Sequence, residues 1–305
     1  MKILVTGGTV FVSRFTAEYF TERGNEVYVL NRENDVQSVG VHHIKADRHD
    51  LGDKLKNHRF DAVIDVTAYN GKDVLDLLNG LGEYGTYVFI SSSAVYPETL
   101  PQPFNEEQPT GQNGIWGKYG TDKIEAENTV TSHISDYYIL RPPYLYGPLN
   151  NVYREAFVFE CAENDRPFYL PKDGSMPLQF FHVRDLCRFI ELILEKKPVD
   201  SIFNVGNPHT VTVREWVEMG YNAFGKKAEF ISVSGDVPQR DYFPFYDYAY
   251  KLDVSRMSDI MPYTIDLSEG LHECLKLYKH DRSLVRRKPL LEFIDNSLKH
   301  KESLK

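Results

Sequence analysis

Short apolar segments alternate with stretches of helical spacing through the first half of this sequence. Such segments are typical of strands buried on both faces, and strands separated by helices pair in parallel. The pattern therefore predicts an α/β fold with a doubly wound parallel sheet. The predicted strands are 2–5, 26–30, 62–66, 87–91 and 138–141, and the predicted helices are 11–23, 73–81 and 121–132.

Length and composition allow a large core and exclude several classes of protein. Of the 305 residues, 42% are hydrophobic and 26% charged, which excludes disordered and fibrous classes. No apolar run approaches the roughly 18 residues of a membrane span, and the amino terminus resembles a buried strand more than a secretion signal.

The alternation of strands and helices becomes irregular after Pro148. We therefore expect a main domain over 1–206, with a core of 1–165 and later elements near 181–206, and a lobe with a helical tail over 207–305.

Charge and cysteine content bear on location and partners. The chain carries 35 basic and 44 acidic residues, a net charge of −9, which disfavours nucleic acid as a partner. The basic stretch Arg286-Arg287-Lys288 leaves nucleic-acid binding open, although a solvated face is the commoner meaning of such a run. The three cysteines form no close pair, and no His/Cys spacing suits a metal. We expect a cytoplasmic protein without a metal site or a membrane association.

A glycine turn, Thr6-Gly7-Gly8, joins the first predicted strand to the first predicted helix. Glycine allows a tight turn, and the free N–H groups at a helix start can bind an anion. The second strand ends in Asn31-Arg32, at the distance along the chain that suits contact with an adenosine ribose. In an alternating chain, these features predict a Rossmann-type dinucleotide-binding fold.

The run T-G-G-T-V-F-V-S at 6–13 resembles the T-G-x-x-G-x-x-G turn of the extended short-chain dehydrogenase/reductase family, which includes nucleotide-sugar epimerases and dehydratases. Val10 and Ser13 replace two glycines, as in an atypical branch that includes chloroplast stem-loop RNA-binding proteins. The resemblance covers residues 1 to about 260. It implies that NAD(P) contacts Gly7, Thr9, Val10, Phe11 and Val12. We expect the Val10 side chain to crowd the pyrophosphate.

The end of the second strand bears on the choice of cofactor. NAD-binding members of the family carry an acidic residue there, whereas this chain has Asn31 and Arg32. A guanidinium suits a 2′-phosphate, which favours NADP over NAD; stacking of Arg32 on adenine is the alternative. The resemblance implies further cofactor contacts at Asp47, Arg48, Val66, Thr67, Ala68, Ser91 and Pro142.

Tyr119 and Lys123 lie one turn apart at the start of the third predicted helix and so project from one face. An ammonium beside a phenol favours the phenolate, and a hydroxyl at a strand end can hold a substrate oxygen. Such a set makes a proton-transfer site. Within the family's S-S-x-x-V-Y pattern, Ser92 corresponds to the active hydroxyl. The resemblance also implies that Tyr119 and Lys123 contact the cofactor.

The run R-P-P-Y-L-Y-G-P at 141–148 resembles the family's R-P-x-N-x-Y-G-P. Tyr144 stands where many nucleotide-sugar enzymes have an asparagine, which removes an amide donor and fills space. The predicted substrate contacts are Ser93, Tyr144 and Arg240. For Arg240, a surface ion pair is the alternative.

Two functions follow from these features. The first is an NAD(P)-dependent epimerase/dehydratase or reductase that acts on a sugar-like, nucleotide-linked small molecule. The second is a non-catalytic protein that uses the same fold for RNA binding or redox sensing. The family resemblance also implies a homodimer that pairs the predicted helices 73–81 and 121–132.

Overall fold

The computed structural model, which describes residues 1–32 and 38–299, contains the predicted parallel sheet. In chain order the strands are β1 (Lys2–Thr6), β2 (Glu26–Asn31), β3 (His42–Lys45), β4 (Leu55–Asp65), β5 (Leu81–Ile90), β6 (Tyr137–Arg141), β7 (Tyr144–Tyr146), β8 (Phe168–Pro171), β9 (Pro177–Leu178), β10 (Phe180–His182), β11 (Ile202–Asn204), β12 (Val211–Thr212) and β13 (Phe230–Val233). Seven of them form one sheet in the order β11-β6-β5-β4-β1-β2-β3, and every pair in it is parallel. The others form the pairs β7–β10, β9–β12 and β8–β13.

Helices lie between these strands along the chain and follow the last of them. They are α1 (Phe11–Glu22), α2 (Gly71–Gly80), α3 (Lys118–His133), α4 (Glu155–Glu163), α5 (Val183–Lys196), α6 (Val213–Ala223), α7 (Gln239–Tyr242), α8 (Ser255–Ile260), α9 (Leu267–His280) and α10 (Leu290–Phe293), with a 3₁₀ turn at Ser93–Val95 and a π turn at Ile294–Leu298. The predicted helices 11–23, 73–81 and 121–132 thus form α1, α2 and α3, with shifts of at most three residues at their ends.

Two helix pairs cover opposite faces of the sheet. Helices α2 and α3 pack on each other, and their buried side chains Leu77 and Val130 share a core with Leu4 and Phe89 of the sheet. Neighbouring strand residues point the other way, towards α1, which packs on α5 and on β1 and β2. Because both faces are covered, the strands are apolar throughout, which is the pattern visible in the sequence.

The strand order reverses beside β1. The chain leaves β1 for β2 and β3 on one side, and then returns to β4 on the other side. The connections that follow β1 and β4 therefore lead to opposite sides of the sheet. Open α/β sheets form a ligand crevice at such a point. This places the glycine turn after β1 at the crevice.

The described chain forms two compact units. The first comprises residues 1–145, 180–208 and 252–264, and the second comprises 146–179, 209–251 and 265–299. These bounds differ from the expected division at 206. Residues 146–179 belong to the second unit because β8 pairs with β13 and β9 with β12. Residues 252–264 belong to the first because α8 packs on β11 and α5.

Some elements lacked a recognisable signal in the sequence. Strand β3 was not predicted, because its two histidines are exposed at the sheet edge and give it no apolar run. In the tail, Leu290, Ile294 and Leu298 are buried, at helical spacing. The three cysteines are free and buried. Within residues 1–32 and 38–299, no helix is long and apolar enough to cross a membrane.

Candidate active site

The turn after β1 requires glycine at two positions. Gly7 and Gly8 both have φ of +96°, a conformation that other residues rarely adopt. A Cβ on Gly7 would lie 2.6 Å from Ser13 Oγ, and one on Gly8 would lie 2.6 Å from Val29 Cγ1. Helix α1 follows at once, and Val10 at its N-cap supplies no side-chain acceptor. The first N–H groups of α1 therefore remain available to an anion.

Val10 and Ser13, which stand in place of two glycines of the family motif, are accommodated without strain. Val10 is 41% exposed and has an extended backbone that any residue can adopt. Ser13 is buried, and its hydroxyl donates to the carbonyl of Val10 at 2.9 Å. Phe11 is buried with a φ of +34°, and Val12 is half-buried. The crowding of a pyrophosphate by Val10 stays a prediction.

Asn31 and Arg32 play different parts at the end of β2. The amide of Asn31 donates to the Gly7 carbonyl at 2.7 Å, so this side chain braces the glycine turn. The Arg32 side chain is 71% exposed, and its Nη1 lies 3.5 Å from Asp47 Oδ2. The pKa of Asp47 is lowered by the His49 N–H that donates to it and by the charge of Arg32.

An open cleft of about 970 Å³ lies at this edge of the sheet. It brings together seven of the predicted cofactor contacts, namely Gly7, Thr9, Asn31, Arg32, Asp47, Arg48 and Thr67. Five lining residues were not predicted, namely Leu30, Ala46, His49, Tyr69 and Asp73. The predicted contacts Val66 and Ala68 lie on the same turn as Thr67, directly after β4.

Asp65, at the end of β4, is fully buried beneath this edge. Its carboxylate accepts hydrogen bonds from Thr6 Oγ1 at 2.7 Å, Arg48 Nη2 at 2.8 Å, Tyr87 OH at 2.6 Å and the backbone N–H groups of Thr67 and Ala68 at 3.3 and 3.2 Å. Burial alone would raise its pKa, but the Arg48 charge and these donors hold the pKa below its usual range. Sequence reasoning missed Asp65, although a lone acid ending an apolar strand is a usable signal.

Lys123 is buried at the first turns of α3. Its ammonium donates to the carbonyls of Ala68 at 2.8 Å and Ile90 at 2.9 Å, which occupies two of its three donors. Burial lowers the pKa of Lys123 to about 8, although the negative charges of Asp65 and Glu127 oppose that shift. The lysine is therefore fixed between the ends of β4 and β5.

Tyr119 is 39% exposed one turn before Lys123. The ring of Tyr69, which lines the cleft, meets Tyr119 edge-on at 6.3 Å. The same ring lies 5.6 Å from Lys123 Nζ. The structure thus brings Tyr119 and Lys123 to one wall, as their spacing predicted, and adds Tyr69 to it.

The three serines after β5 differ in their surroundings. Ser92 begins the 3₁₀ turn, and its Oγ accepts from the Ala94 N–H at 3.2 Å. The Ser93 N–H donates to the carbonyl of Pro142 at 3.0 Å, which joins the ends of β5 and β6. The Ser91 hydroxyl donates to Glu127 Oε1 at 2.5 Å, so this side chain is occupied inside the fold.

Ser91 belongs to a buried network that sequence reasoning missed. Arg141 holds the Glu127 carboxylate with two nitrogens, at 3.0 and 2.6 Å. Its third nitrogen donates to Tyr96 OH at 2.8 Å, and that hydroxyl donates to Asn204 Oδ1 at 2.8 Å. The network ties α3 to the ends of β5, β6 and β11. Glu127 stands one turn beyond Lys123, and that spacing could have identified it.

Aromatic side chains surround Tyr144. Its ring is buried and lies 6.4 Å from Trp116 and 6.2 Å from Phe180. Asn113 anchors the loop that carries Trp116, because its side chain donates to the Tyr96 carbonyl and accepts from the Trp116 N–H. The predicted site near Tyr144 is therefore an aromatic wall.

Arg240 lies in the second unit. Its guanidinium donates to the Pro244 carbonyl and lies 4.6 Å from the ring centroid of Tyr246.

Several proteins are similar to this chain in sequence or in structure. A chloroplast stem-loop binding protein of 41 kDa (b) from Arabidopsis thaliana is 27% identical over 301 residues, which covers 90% of this chain and 79% of that protein. A UDP-glucose 4-epimerase from Corynebacterium glutamicum is 24% identical over 72% of this chain and 79% of that protein. A solved UDP-N-acetylglucosamine 4-epimerase from Bacillus cereus has a TM-score of 0.74 at 20% identity, with 95% and 99% covered. The UDP-glucuronic acid 4-epimerase of Bacillus cereus in complex with NAD has a TM-score of 0.73 at 19% identity, with 94% and 100% covered.

The family comparison covers most of the first unit. A model described as the NAD dependent epimerase/dehydratase family matches residues 3–206, more than half of the chain. The matched region contains the glycine turn, the cleft and the Tyr119/Lys123 wall. The seven-stranded parallel sheet of this chain matches Rossmann-type epimerase structures. The chain therefore belongs to the NAD-dependent epimerase/dehydratase family of enzymes.

Proposed function

We propose that this enzyme epimerises, dehydrates or reduces a nucleotide-linked sugar, with Tyr119 as its acid/base. The observation that carries the proposal is the position of the Tyr119/Lys123 wall. Tyr69 touches both residues and also lines the cleft that begins at the glycine turn. A proton-transfer group and a dinucleotide cleft thus share one edge of the sheet.

The cleft fits a nicotinamide dinucleotide. Gly7 and Gly8 leave room where a Cβ would clash, and α1 presents uncapped N–H groups to a pyrophosphate. Arg48 Nη1 is a buried donor with no acceptor among the described residues. A nicotinamide dinucleotide bound there would supply hydride acceptance and donation.

The chain's own residues would transfer the proton and hydrogen-bond to the substrate oxygen. We assign to Ser92 the donation of a hydrogen bond to the reacting oxygen, because its hydroxyl stands at the end of β5. Tyr119 removes the proton of the substrate hydroxyl and returns a proton to the carbonyl oxygen. Lys123, fixed by two carbonyls, stabilises the phenolate form of Tyr119.

A cluster of cations in the second unit supports an anionic substrate. The pKa of Lys288 is lowered by partial burial and by the positive charges of Arg240 and Arg154. Like charges that repel each other are relieved by an anion, and guanidinium groups bind phosphate oxygens well. We therefore assign Arg240, with Arg154 and Lys288, to the binding of an anionic group within the second unit. As a separate assignment within the first unit, Tyr144 and Ser93 contact a sugar.

Two further features belong to this proposal. We infer a preference for NADP over NAD, because Arg32 is exposed at the cleft and no acid ends β2.

We also infer a cytoplasmic homodimer that pairs α2 and α3 with a second copy. Light scattering should then give about twice the mass of one chain at micromolar concentration, and the mass of one chain would contradict the dimer.

Replacement of Tyr119 by phenylalanine tests the assigned chemistry. The substrate is found first, by screening UDP- and dTDP-linked sugars for product identity. Tyr119→Phe should lower kcat by about 10²–10⁴-fold, the usual contribution of positioned proton transfer, while the Kd for the dinucleotide stays the same. Tyr263→Phe, at a tyrosine that is 80% exposed, is the matched control. Turnover of Tyr119→Phe at the wild-type rate would refute the assignment.

RNA binding is a second candidate, favoured by the name of the Arabidopsis relative. The basic residues Arg282 and Arg287 offer it limited support, because they pair with Glu163 and Glu160. A stem-loop RNA whose binding weakens steeply with salt, together with no turnover of any nucleotide sugar, would favour this candidate over the enzyme.

A further inference from the structure

We propose that Asp65 is a positioning residue for the dinucleotide cleft, and that Arg48, which Asp65 holds, donates from its Nη1 to an oxygen of the bound dinucleotide. The proposal rests on the dinucleotide binding proposed above. It concerns a residue that makes no direct contact with the ligand, since Asp65 is fully buried and absent from the cleft lining.

Asp65 connects three chain segments that shape the cleft. Through Thr6 Oγ1, at 2.7 Å, it holds the first residue of the glycine turn. Through the N–H groups of Thr67 and Ala68 it holds the turn after β4. Through Arg48 Nη2, at 2.8 Å, it holds the loop after β3. One carboxylate thus sets the relative positions of segments that lie up to 59 residues apart along the chain.

The contacts also keep that carboxylate charged. A buried carboxylate is costly unless several donors and an opposite charge satisfy it. Asp65 has the Tyr87 hydroxyl at 2.6 Å as a further donor, and its pKa stays below the usual range despite burial, because of Arg48 and these donors. The negative charge therefore persists at neutral pH and retains the Arg48 guanidinium.

Arg48 brings a donor that the described residues leave without an acceptor. Its Nη1 is buried and unpaired, although the residue lines the cleft. An unsatisfied buried donor on a charged group is destabilising, and an oxygen of a ligand would remove that penalty. The neighbouring His49 bonds through Nδ1 to Asp76 Oδ2 at 2.5 Å, so the loop is attached to α2 as well. The position of Nη1 is therefore set before a ligand arrives.

Four variants separate positioning from general stability. They are Asp65→Asn, Arg48→Met, the double variant with both changes, and Asp185→Asn as the control. Asp185 is equally buried and pairs with Arg188 at 2.7 Å, but does not line the cleft. For each variant, NADPH and NADH fluorescence titration gives the Kd, and urea unfolding gives the midpoint.

The expected results differ between affinity and stability. Asp65→Asn leaves Arg48 without its counter-charge, so both the urea midpoint and the affinity should fall. Arg48→Met should weaken dinucleotide binding by about 10- to 150-fold, the loss of one charged hydrogen bond. The double variant buries no unpaired charge, so its midpoint should recover towards wild type, while its affinity stays as weak as that of Arg48→Met. Asp185→Asn should lose stability alone.

Three outcomes would overturn the proposal. Wild-type affinity in the double variant would show that neither side chain matters to the ligand. Wild-type affinity in Asp65→Asn, together with a lowered midpoint, would leave Asp65 a purely structural residue. A wild-type protein that binds neither NADPH nor NADH would instead refute the proposed dinucleotide binding itself, and this inference would fall with it.

Discussion

Burial of Lys123 should make the folding stability rise with pH. The folded-state pKa of Lys123 is about 8, lowered chiefly by burial, whereas an unfolded lysine has a pKa of about 10.4. Between these values the unfolded chain carries the proton and the folded chain does not. Stability therefore increases as pH rises through this window, because the unfolded state binds more protons.

The size of the effect follows from the same two pKa values. Below about pH 7 both states are protonated, so the penalty for burying the ammonium is fully present. From about pH 7 to about pH 9.5 the penalty should diminish by about 2 kcal/mol, obtained by integrating the proton-binding difference. Lys123 is buried and its ammonium donates to the carbonyls of Ala68 and Ile90, so solvent screening reduces this figure little.

Lys123→Met provides the test. The variant leaves the Ala68 and Ile90 carbonyls without their donor, so its absolute stability is not informative. The informative quantity is the wild-type free energy of unfolding minus that of Lys123→Met, measured by urea titration across this pH range. Titrating groups distant from Lys123 contribute equally to both proteins and cancel.

The difference should rise by about 2 kcal/mol from about pH 7 to about pH 9.5. Lys118→Met is the matched control, because Lys118 is exposed on the same helix and pairs with Asp122 at 2.6 Å. Its stability difference should show no such rise. A flat difference for Lys123→Met would mean that Lys123 keeps an ordinary pKa, and the argument that burial tunes this lysine would be wrong.

Three further changes have defined outcomes. Arg32→Ala should raise the Kd for NADP(H) by the equivalent of about 1.5–3 kcal/mol, as for a lost charged hydrogen bond, and leave NAD(H) unchanged in calorimetry; equal losses would count against the NADP preference. Glu127→Gln leaves Arg141 buried without its counter-charge and should lower the free energy of unfolding by about 3–5 kcal/mol; a loss under about 1 kcal/mol by urea titration would contradict it. Gly8→Ala places a Cβ 2.6 Å from Val29 at φ +96°, whereas Gly235→Ala has φ +98° with open space; urea midpoints should fall further for Gly8→Ala, and equal falls would rule out the clash.

Local patterns in the sequence were sufficient for the sheet and for much of the site. The alternation of apolar strands and helices predicts the parallel sheet, because strands buried on both faces are continuous apolar runs that can be seen in the local sequence. The glycine turn and the four-residue spacing of Tyr119 and Lys123 are equally local features. Their placement on one edge follows from the rule that parallel strands end on the same side of a sheet.

Tertiary structure decided which side chains bond to each other. Asp65 takes its donors from Thr6 and Arg48, which lie 59 and 17 residues away along the chain. Ser91 donates to Glu127, 36 residues further on. Such pairings depend on where strands and loops meet in space, and no periodicity encodes them. For the same reason, the division of the chain into units was settled by the pairing of β8 with β13 and β9 with β12, since short strands acquire partners only when distant segments come together.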